Sequence, residues 1–494
     1  QKNFLSSFIF FLVISFISNL FAINLDDNRL NPFDDIEDFE GVVYVKVGSS
    51  ICTGALINHR TILTAAHCLI EGEKAEIYIG SVIDNDSSAI ITTSFVKLPE
   101  EKRYETFNGA SYDVALISLK DPLLEITPIK LNHLLPNIND EVYVSGYGLH
   151  GTGSSPDQDF DKKKRWGKNT ISIIADESAL NGTSISSSSD KKIIGLNFDE
   201  DLDQLESMIS LGDSGSPLLI KEEGEYFIVG VASWIKKNTS NLNRGYGASA
   251  GFSSVQQNQD WLEENNPLRV VTSILDGKWS LDSNWDDPVF PSNQYPSLEN
   301  YNTASAKYYS VNVVNAINLN ESIQIDSLKI SEYGHLSLQN NSSLEVLIDI
   351  YAERGNVDNE GTLSGGNLFL HKSSFVNKNE VLISKNIHVD DALIVNTGTI
   401  SAKKIELDQG TVMGTGVFVS DEFLNSVSIF DSEGNFLKSW QGKKPDGSLL
   451  QGPSGIAISN SQEIYIVESH GHKISQFSLD GDFIREWGSQ GSDP

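Results

Sequence analysis

Three groups of residues in this chain could together perform acyl chemistry. His67 stands in "LTAAHC" (63–68), Asp113 in "ASYDVALISL" (110–119) and Ser214 in "GDSGSP" (212–217). A histidine that moves protons in acyl transfer needs a carboxylate on one ring nitrogen and a nucleophile at the other. Asp113 heads an apolar run, where a carboxylate is costly to bury unless it is paired. Glycines flank Ser214. They permit a sharp turn that exposes the hydroxyl, and they let backbone N–H groups converge where an oxyanion would develop. A lone histidine is more often a surface residue or a satisfied core one, so His67 gains meaning only from the other two groups.

The elements that must position these residues read as strands. Short runs recur between residues 23 and 270, among them "GVVYVKV", "CTGALI", "AEIYIG", "EVYVSGYG", "SPLLI" and "YFIVGVASW", broken by Gly, Asn, Asp and Ser. A helix-like segment, "VQQNQDWLEEN", precedes Pro267. Residues 150–163 and 183–192 are polar and read as surface loops. The whole chain has 494 residues, which suggests about three domains at roughly 150 residues each. At 39% hydrophobic it can build packed cores. A net charge of -31 argues against nucleic-acid binding and against electrostatic attachment to anionic membranes.

Taken in order, "LTAAHC", "DVALISL" and "GDSGSP" resemble the trypsin-like serine proteases of the chymotrypsin family, over about residues 36 to 265. "VSGYG", "VGVASW" and "GFSSVQQNQDWLEEN" fit the same pattern, and "KRWGKNTI" resembles bacterial secreted members. The resemblance implies two six-stranded β-barrels with the site in the cleft between them. It implies His67 as general base then acid, Asp113 as its orienting carboxylate and Ser214 as nucleophile. The N–H groups of Gly212 and Ser214 would form the oxyanion hole, and Ser233, Trp234 and Ile235 would lie along the substrate. Cys52 and Cys68 are the only cysteines. A bridge between them would tie the strand "CTGALI" to the turn that carries His67. Free thiols and a metal site are the alternatives, and two cysteines without clustered histidines are too few ligands for a metal. No metal and no cofactor is expected.

Several positions depart from the family pattern. Ser216 stands where a second glycine is usual. Met208, six residues before Ser214, falls at the base of the specificity pocket, where a trypsin-like preference would need an acid. With Ile209 beside it and Ile235 where glycine often keeps the pocket open, a shallow apolar pocket for small or medium aliphatic side chains is expected. Asp203 and Glu206 are read as solvated surface acids, although a register slip would bring one of them to the pocket. In the family a freed Ile or Val amine pairs with the aspartate before the nucleophile, here Asp213. No "IVGG" occurs, but cleavage after Ala22 would expose Ile23. Cleavage after Arg29, exposing Leu30, is the rival.

The first 22 residues have a positive start at Lys2, an apolar middle and a small residue at the end, as a secretory signal does. An uncleaved membrane anchor is the alternative. Export would place the chain in an oxidising compartment, outside the cell or in the periplasm. From about 271 to 415 a weak repeat of 18 or 19 residues appears: Val357, Val376 and Val395, and Leu368/Leu370, Ile387/Val389 and Ile405/Leu407. A parallel β-solenoid is expected there, with a β-sandwich as the alternative. "DGKWSLDSNW" (276–285) resembles the start of repeat regions on bacterial surface proteins. In 416–494, Phe430, Phe436 and Trp440 match Phe477, Phe483 and Trp487 at an offset of 47, resembling NHL repeats, which form propeller blades.

The start at Gln1 and the stop after "GSQGSDP" read as the ends of a fragment. The expected architecture is therefore all-β: a signal peptide at 1–22, a chymotrypsin-like double barrel at 23–270, a solenoid-like region at 271–415 and partial propeller blades at 416–494. The expected function is that of a secreted or cell-surface endopeptidase acting on protein or peptide, its repeats binding a partner or surface. Membrane contact would be limited to the signal segment. The alternative is a catalytically inactive protease fold serving as an adhesin. His59, His388 and His470 are read as structural or solvated.

Overall fold

A computed structural model describes residues 23–25, 39–84, 86–97, 112–175, 193–200, 206–238, 244–294, 306–408, 410–414, 417–430, 436–458, 463–478 and 481–489. The signal-like segment 1–22, Arg29 and Leu30, the 183–192 loop and Asp203 lie outside the described residues.

Six strands close the first barrel, in the order Val42–Val47, Ser50–Asn58, Thr61–Thr64, Ala115–Leu119, Ile90–Lys97 and Ala75–Tyr78. Their Val, Ile and Leu residues form one core with Phe39, Tyr147 and Leu262. Every residue of Thr61–Thr64 and of Ala115–Leu119 is buried. A strand wet on one face would alternate; these two are covered on both faces.

A second ring follows: Pro217–Glu222, Glu141–Gly146, Arg165–Ala175, Ile193–Asn197, Ser249–Ser254 and Glu225–Lys236, closed by pairing of the first with the last. Val142, Val144, Leu196, Leu218, Val229 and Phe252 fill it. Lys130–Leu131 adds beside Glu225–Lys236. The helix-like segment is a 3-10 turn, Gln256–Asn258, leading into the short helix Gln259–Asn265, which buries Leu262. Among the described residues, no helix is long and apolar enough to cross a membrane.

Beyond Pro267 the chain winds into three sheets of parallel strands, each successive coil adding one strand to each sheet. Parallel pairing is that of a coiled stack rather than of an antiparallel sandwich. Most strands alternate half-exposed and buried residues, as in Ser374–Asn377 and Glu380–Ile383. Leu368, Ile387 and Ile405 pair in register. The valine series does not. Val357 pairs with Phe375, not Val376, whereas Val376 pairs with Val395. Adjacent residues of a strand face opposite ways, so the one-residue difference puts Val357 in the core and Val376 outward.

The last two repeats share a cross-strand register: Val427 pairs with Trp440, and Ile474 with Trp487. They do not stand as equivalent blades. Val417–Asp421 joins one sheet of the stack in parallel beside Thr399–Ala402, so the first repeat ends that sheet. Pro453–Ile458, Glu463–Glu468, Lys473–Ser478 and Phe483–Trp487 make a separate antiparallel sheet. The two repeats meet where Trp440 packs on Phe477 at 5.2 Å.

Candidate active site

His67 sits in a single 3-10 turn, Ala66–Cys68, directly after Thr61–Thr64. Its backbone N–H donates to Asp113 Oδ1 at 2.9 Å, and its ring Nδ1 meets Asp113 Oδ2 at 2.5 Å. Asp113 stands two residues before Ala115–Leu119, which pairs directly with the strand leading to His67. The contact is therefore set by one strand pair. Ser233 Oγ donates to the same Oδ2 at 2.7 Å. Burial alone would raise the Asp113 carboxyl. The hydrogen bond and charge of the His67 ring, with the bonds from Ser233 and the His67 backbone, outweigh it and hold the carboxyl below its ordinary range.

Cys52 and Cys68 form a disulfide. Their sulfurs and a His67 ring nitrogen lie within 4.8 Å of one another, the one such cluster of possible metal ligands among the described residues. Both thiols are spent in the bridge, so the cluster lacks the thiolates a metal would need.

The turn carrying Ser214 is fastened to the first barrel. Thr53 N donates to Ser214 O at 2.9 Å, and Thr53 Oγ1 to Gly212 O at 3.2 Å. Gly212 and Gly215 have φ of 99° and 84°, values that favour glycine. A Cβ on Gly215 would fall 2.2 Å from Thr64 Oγ1, so the turn fits only without a side chain there. Ser216 is buried, and its Oγ has no hydrogen-bond partner among the described residues. The backbone tolerates it: Ser216 N donates to Asp213 O, and Ala232 N to Ser216 O, both at 2.9 Å.

Asp213 is fully buried. Its carboxyl accepts from Gly148 N and from Ser210 N, each at 2.8 Å. Burial is the largest influence and pushes it up to about 7 against those two bonds. Ile23 lies with φ 65° in a short strand, Ile23–Leu25, between His150–Thr152 and Ser207–Met208. It is paired with His150, two residues after the Gly148 that bonds Asp213. His150 is itself buried and held neutral, its pKa lowered to about 3 by burial and then by Arg165.

Met208 is fully buried and packs with Ile23 and Ile209, against the half-buried Ile235 and Tyr246. The Trp234 ring lies over Gly251, where a Cβ would fall 2.3 Å from it. Glu206 sits apart at the surface, accepting from Asp199 N at 3.1 Å.

Sequence reasoning missed a hub beside the strand Ser207–Met208, with which Asn24 pairs. Asp157 bonds Ser210 Oγ and pairs with Arg244 at 2.8 Å, and its N–H donates to the buried Asn24 Oδ1 at 3.0 Å. Asp157 lies in a segment read as a surface loop, and its acidity gives no sign of this role. Of the histidines read as structural or solvated, His388 meets Glu406 at 2.6 Å, His470 meets Glu422 at 3.4 Å and His59 bonds Leu123 O at 2.6 Å. Each has a partner that sequence reasoning did not find, and none belongs to the site.

Residues 35–262 match the trypsin family model. The chain is 26% identical to a collagenase of Hypoderma lineatum over 232 residues, 44% of this chain and 76% of that protein. It is 29% identical to trypsin theta of Drosophila melanogaster over 21% of this chain and 40% of that protein. It is 31% identical to hypodermin-B of Hypoderma lineatum over 25% of this chain and 50% of that protein. For the last two, the match spans half or less of the relative's own length. Residues 35–262 are a trypsin domain, and by it the chain is a serine-type endopeptidase.

Proposed function

We propose that the chain is an exported endopeptidase that hydrolyses peptide bonds through Ser214, His67 and Asp113. The observation that carries this is the double contact of His67 with Asp113, ring and backbone, at 2.5 and 2.9 Å. With Nδ1–H donating to the carboxylate, Nε2 is left as acceptor for the Ser214 hydroxyl. Ser214 Oγ attacks the scissile carbonyl as His67 takes its proton. The N–H groups of Gly212 and Ser214 stabilise the oxyanion. Imidazolium then protonates the leaving amine, and an acyl-enzyme remains. Water, deprotonated by His67, releases it.

The buried Met208 and the side chain of Ile235 support a shallow apolar pocket that takes small or medium aliphatic residues. The seat of Ile23–Leu25 beside the segment holding Asp213 supports activation by cleavage after Ala22, with the freed amine pairing with the Asp213 carboxylate. A relative named collagenase fits a protein substrate. The coiled stack and the terminal repeats would place the enzyme on a partner or surface.

The test is labelling with a fluorophosphonate, beside Ser214→Ala. Labelling of the parent alone is expected. A folded chain beginning at Ile23 that takes up no label would point to an inactive scaffold.

A further inference from the structure

The strands that lead to His67 and Asp113 meet the coiled stack at their other ends. Thr61–Thr64 pairs antiparallel with Ala115–Leu119, Thr64 opposite Ala115 and Thr61 opposite Ser118. One end of this ladder therefore runs into His67 and Asp113. The other end is Arg60 and Leu119.

Arg60 is fully buried. Its carbonyl accepts from Leu119 N at 2.8 Å, and its guanidinium donates to the carbonyl of Lys120. It thus clasps both strands of the ladder. Its other donors cross to the stack: Nε to Asp326 Oδ2 at 2.7 Å and Nη2 to Asp326 Oδ1 at 2.8 Å. Asp326 is buried too, and stands directly before the strand Ser327–Ile330. Asn293 Nδ2 donates to its Oδ1 at 2.9 Å, and the Tyr308 ring lies 4.1 Å from the guanidinium. Around the pair, Asn266 Oδ1 accepts from Asn58 and Thr61, and Ala306 N donates to Ser94 Oγ at 3.2 Å.

Two ions taken out of water are tolerated only when their geometry is good and their remaining hydrogen-bonding groups are met, and removal of one partner leaves a buried, uncompensated charge. Both conditions hold here. A detachable appendage would instead join through a wetter, more polar contact.

We propose that Asp326 is a positioning residue for the proteolytic site. It fixes Arg60, Arg60 fixes the far end of the strand pair, and the stack is thereby part of the catalytic barrel and not only a means of placement. This rests on the reading of His67, Asp113 and Ser214 as a triad. Misplacement of reacting groups by about 1 Å can cost about a hundredfold in rate, so a loosened ladder has a kinetic signature.

The experiment uses the full chain and its Asp326→Asn, Arg60→Met/Asp326→Leu and Glu360→Gln variants, well below their unfolding temperatures. Glu360 pairs with Lys378 at the exposed surface of the same stack and serves as the control. The readouts are the final labelled fraction, the second-order rate of fluorophosphonate labelling, and the pH dependence of that rate. Asp326→Asn should label fully but about tenfold more slowly. Its profile should show a lower His67 pKa, because a looser Asp113 favours imidazolium less. Glu360→Gln should match the parent. If Asp326→Asn does not fold, the apolar pair, which keeps the interface filled, carries the test with the same expected slowing. Parent-like rate and pH profile in a folded variant overturn the proposal, whatever happens to its unfolding temperature. An unlabelled parent overturns the triad reading, and this one with it.

Discussion

Ser233 Oγ donates to Asp113 Oδ2, the same oxygen that meets the His67 ring. One carboxylate oxygen thus serves two donors, and the other holds the His67 backbone. Asp113→Asn would present an amide to the ring and hold the wrong tautomer, so kcat should fall by about 10⁴-fold with little change in KM. Ser233→Ala removes one charge-assisted bond, worth about 1.5–3 kcal/mol. It should cost no more than about tenfold if half of that reaches the transition state. Steady-state kinetics on a peptide substrate decide it; equal losses in the two variants would mean that Ser233 does more than steady the carboxylate.

Asp213 gives the unprocessed chain a pH dependence. Its folded pKa is raised to about 7, mainly by burial, against about 3.9 when unfolded. Between those values the folded chain keeps a proton that the unfolded chain has lost. Its contribution is therefore fully present below pH 4 and declines as pH rises through 7, by about 4 kcal/mol in all. Asp113, held low, acts in the opposite sense and in another window: its contribution is lost only as pH falls below the ordinary carboxylate range. Urea midpoints of Ser214→Ala, with Ala22–Ile23 uncut, should fall from pH 4 to 7, and Asp213→Asn should remove the fall. A flat curve would contradict the assignment. Cutting to free Ile23 should also abolish it, since an ammonium favours the carboxylate.

The disulfide closes a separation of 16 residues and lies against the His67 ring. Its removal in Cys52→Ser/Cys68→Ser should cost about 3 kcal/mol by the chain-entropy account. For a domain of this size that is about 6–12 °C in Tm. Labelling of Ser214 should slow as well, measured at a temperature where both proteins are folded. A drop in Tm with unchanged labelling would make the bridge a staple alone.

In the proposed pocket, Ile235 should limit what enters. In Ile235→Gly, kcat/KM for Phe relative to Ala before the scissile bond should rise at least about tenfold, the scale on which apolar pockets discriminate by size. A profiling library reads this directly. An unaltered preference would mean that the closed floor at Met208, and not the rim, sets the limit.

The sequence made some of this legible and hid the rest for physical reasons. "LTAAHC" and "GDSGSP" carry local backbone demands, a turn beside a bridge and positive-φ glycines, and with Asp113 between them in the chain they could be read together as one site. The all-β class followed from short runs punctuated by Gly and Asn. The hub of Asn24, Asp157, Ser210 and Arg244 was not legible, because it joins residues far apart in the chain whose types are ordinary for loops. Arg60 and Asp326, 266 residues apart, were hidden in the same way. The two final repeats look alike in sequence because their hairpins share a register, but which sheet each joins depends on the neighbour it meets.

Coil register was misread at Val357 because apolar residues alone do not fix it. The asparagines do. Asn359 Nδ2 donates to Asn377 Oδ1 at 2.8 Å, and Asn377 Nδ2 to Asn396 Oδ1 at 2.7 Å, all three residues being buried. Each side chain also serves the turn of its own or the next coil: Asn377 Nδ2 donates to Thr399 O at 3.0 Å, and Asn396 Oδ1 accepts from Gly398 N at 3.2 Å. An apolar residue at Asn377 would strip Asn359 and Asn396 of a partner and leave Thr399 O without this donor. With about 1–3 kcal/mol for each buried group left unsatisfied, Asn377→Leu should destabilise the stack by about 3 kcal/mol or more. Asn377→Asp should also be poorly tolerated, since it keeps the acceptor but loses the donors to Asn396 and Thr399. Hydrogen exchange of the 356–400 amides should show protection lost on both sides of the mutated coil. Loss confined to the mutated coil alone would show that the coils are held by their apolar layers and that the asparagine column only sets their register.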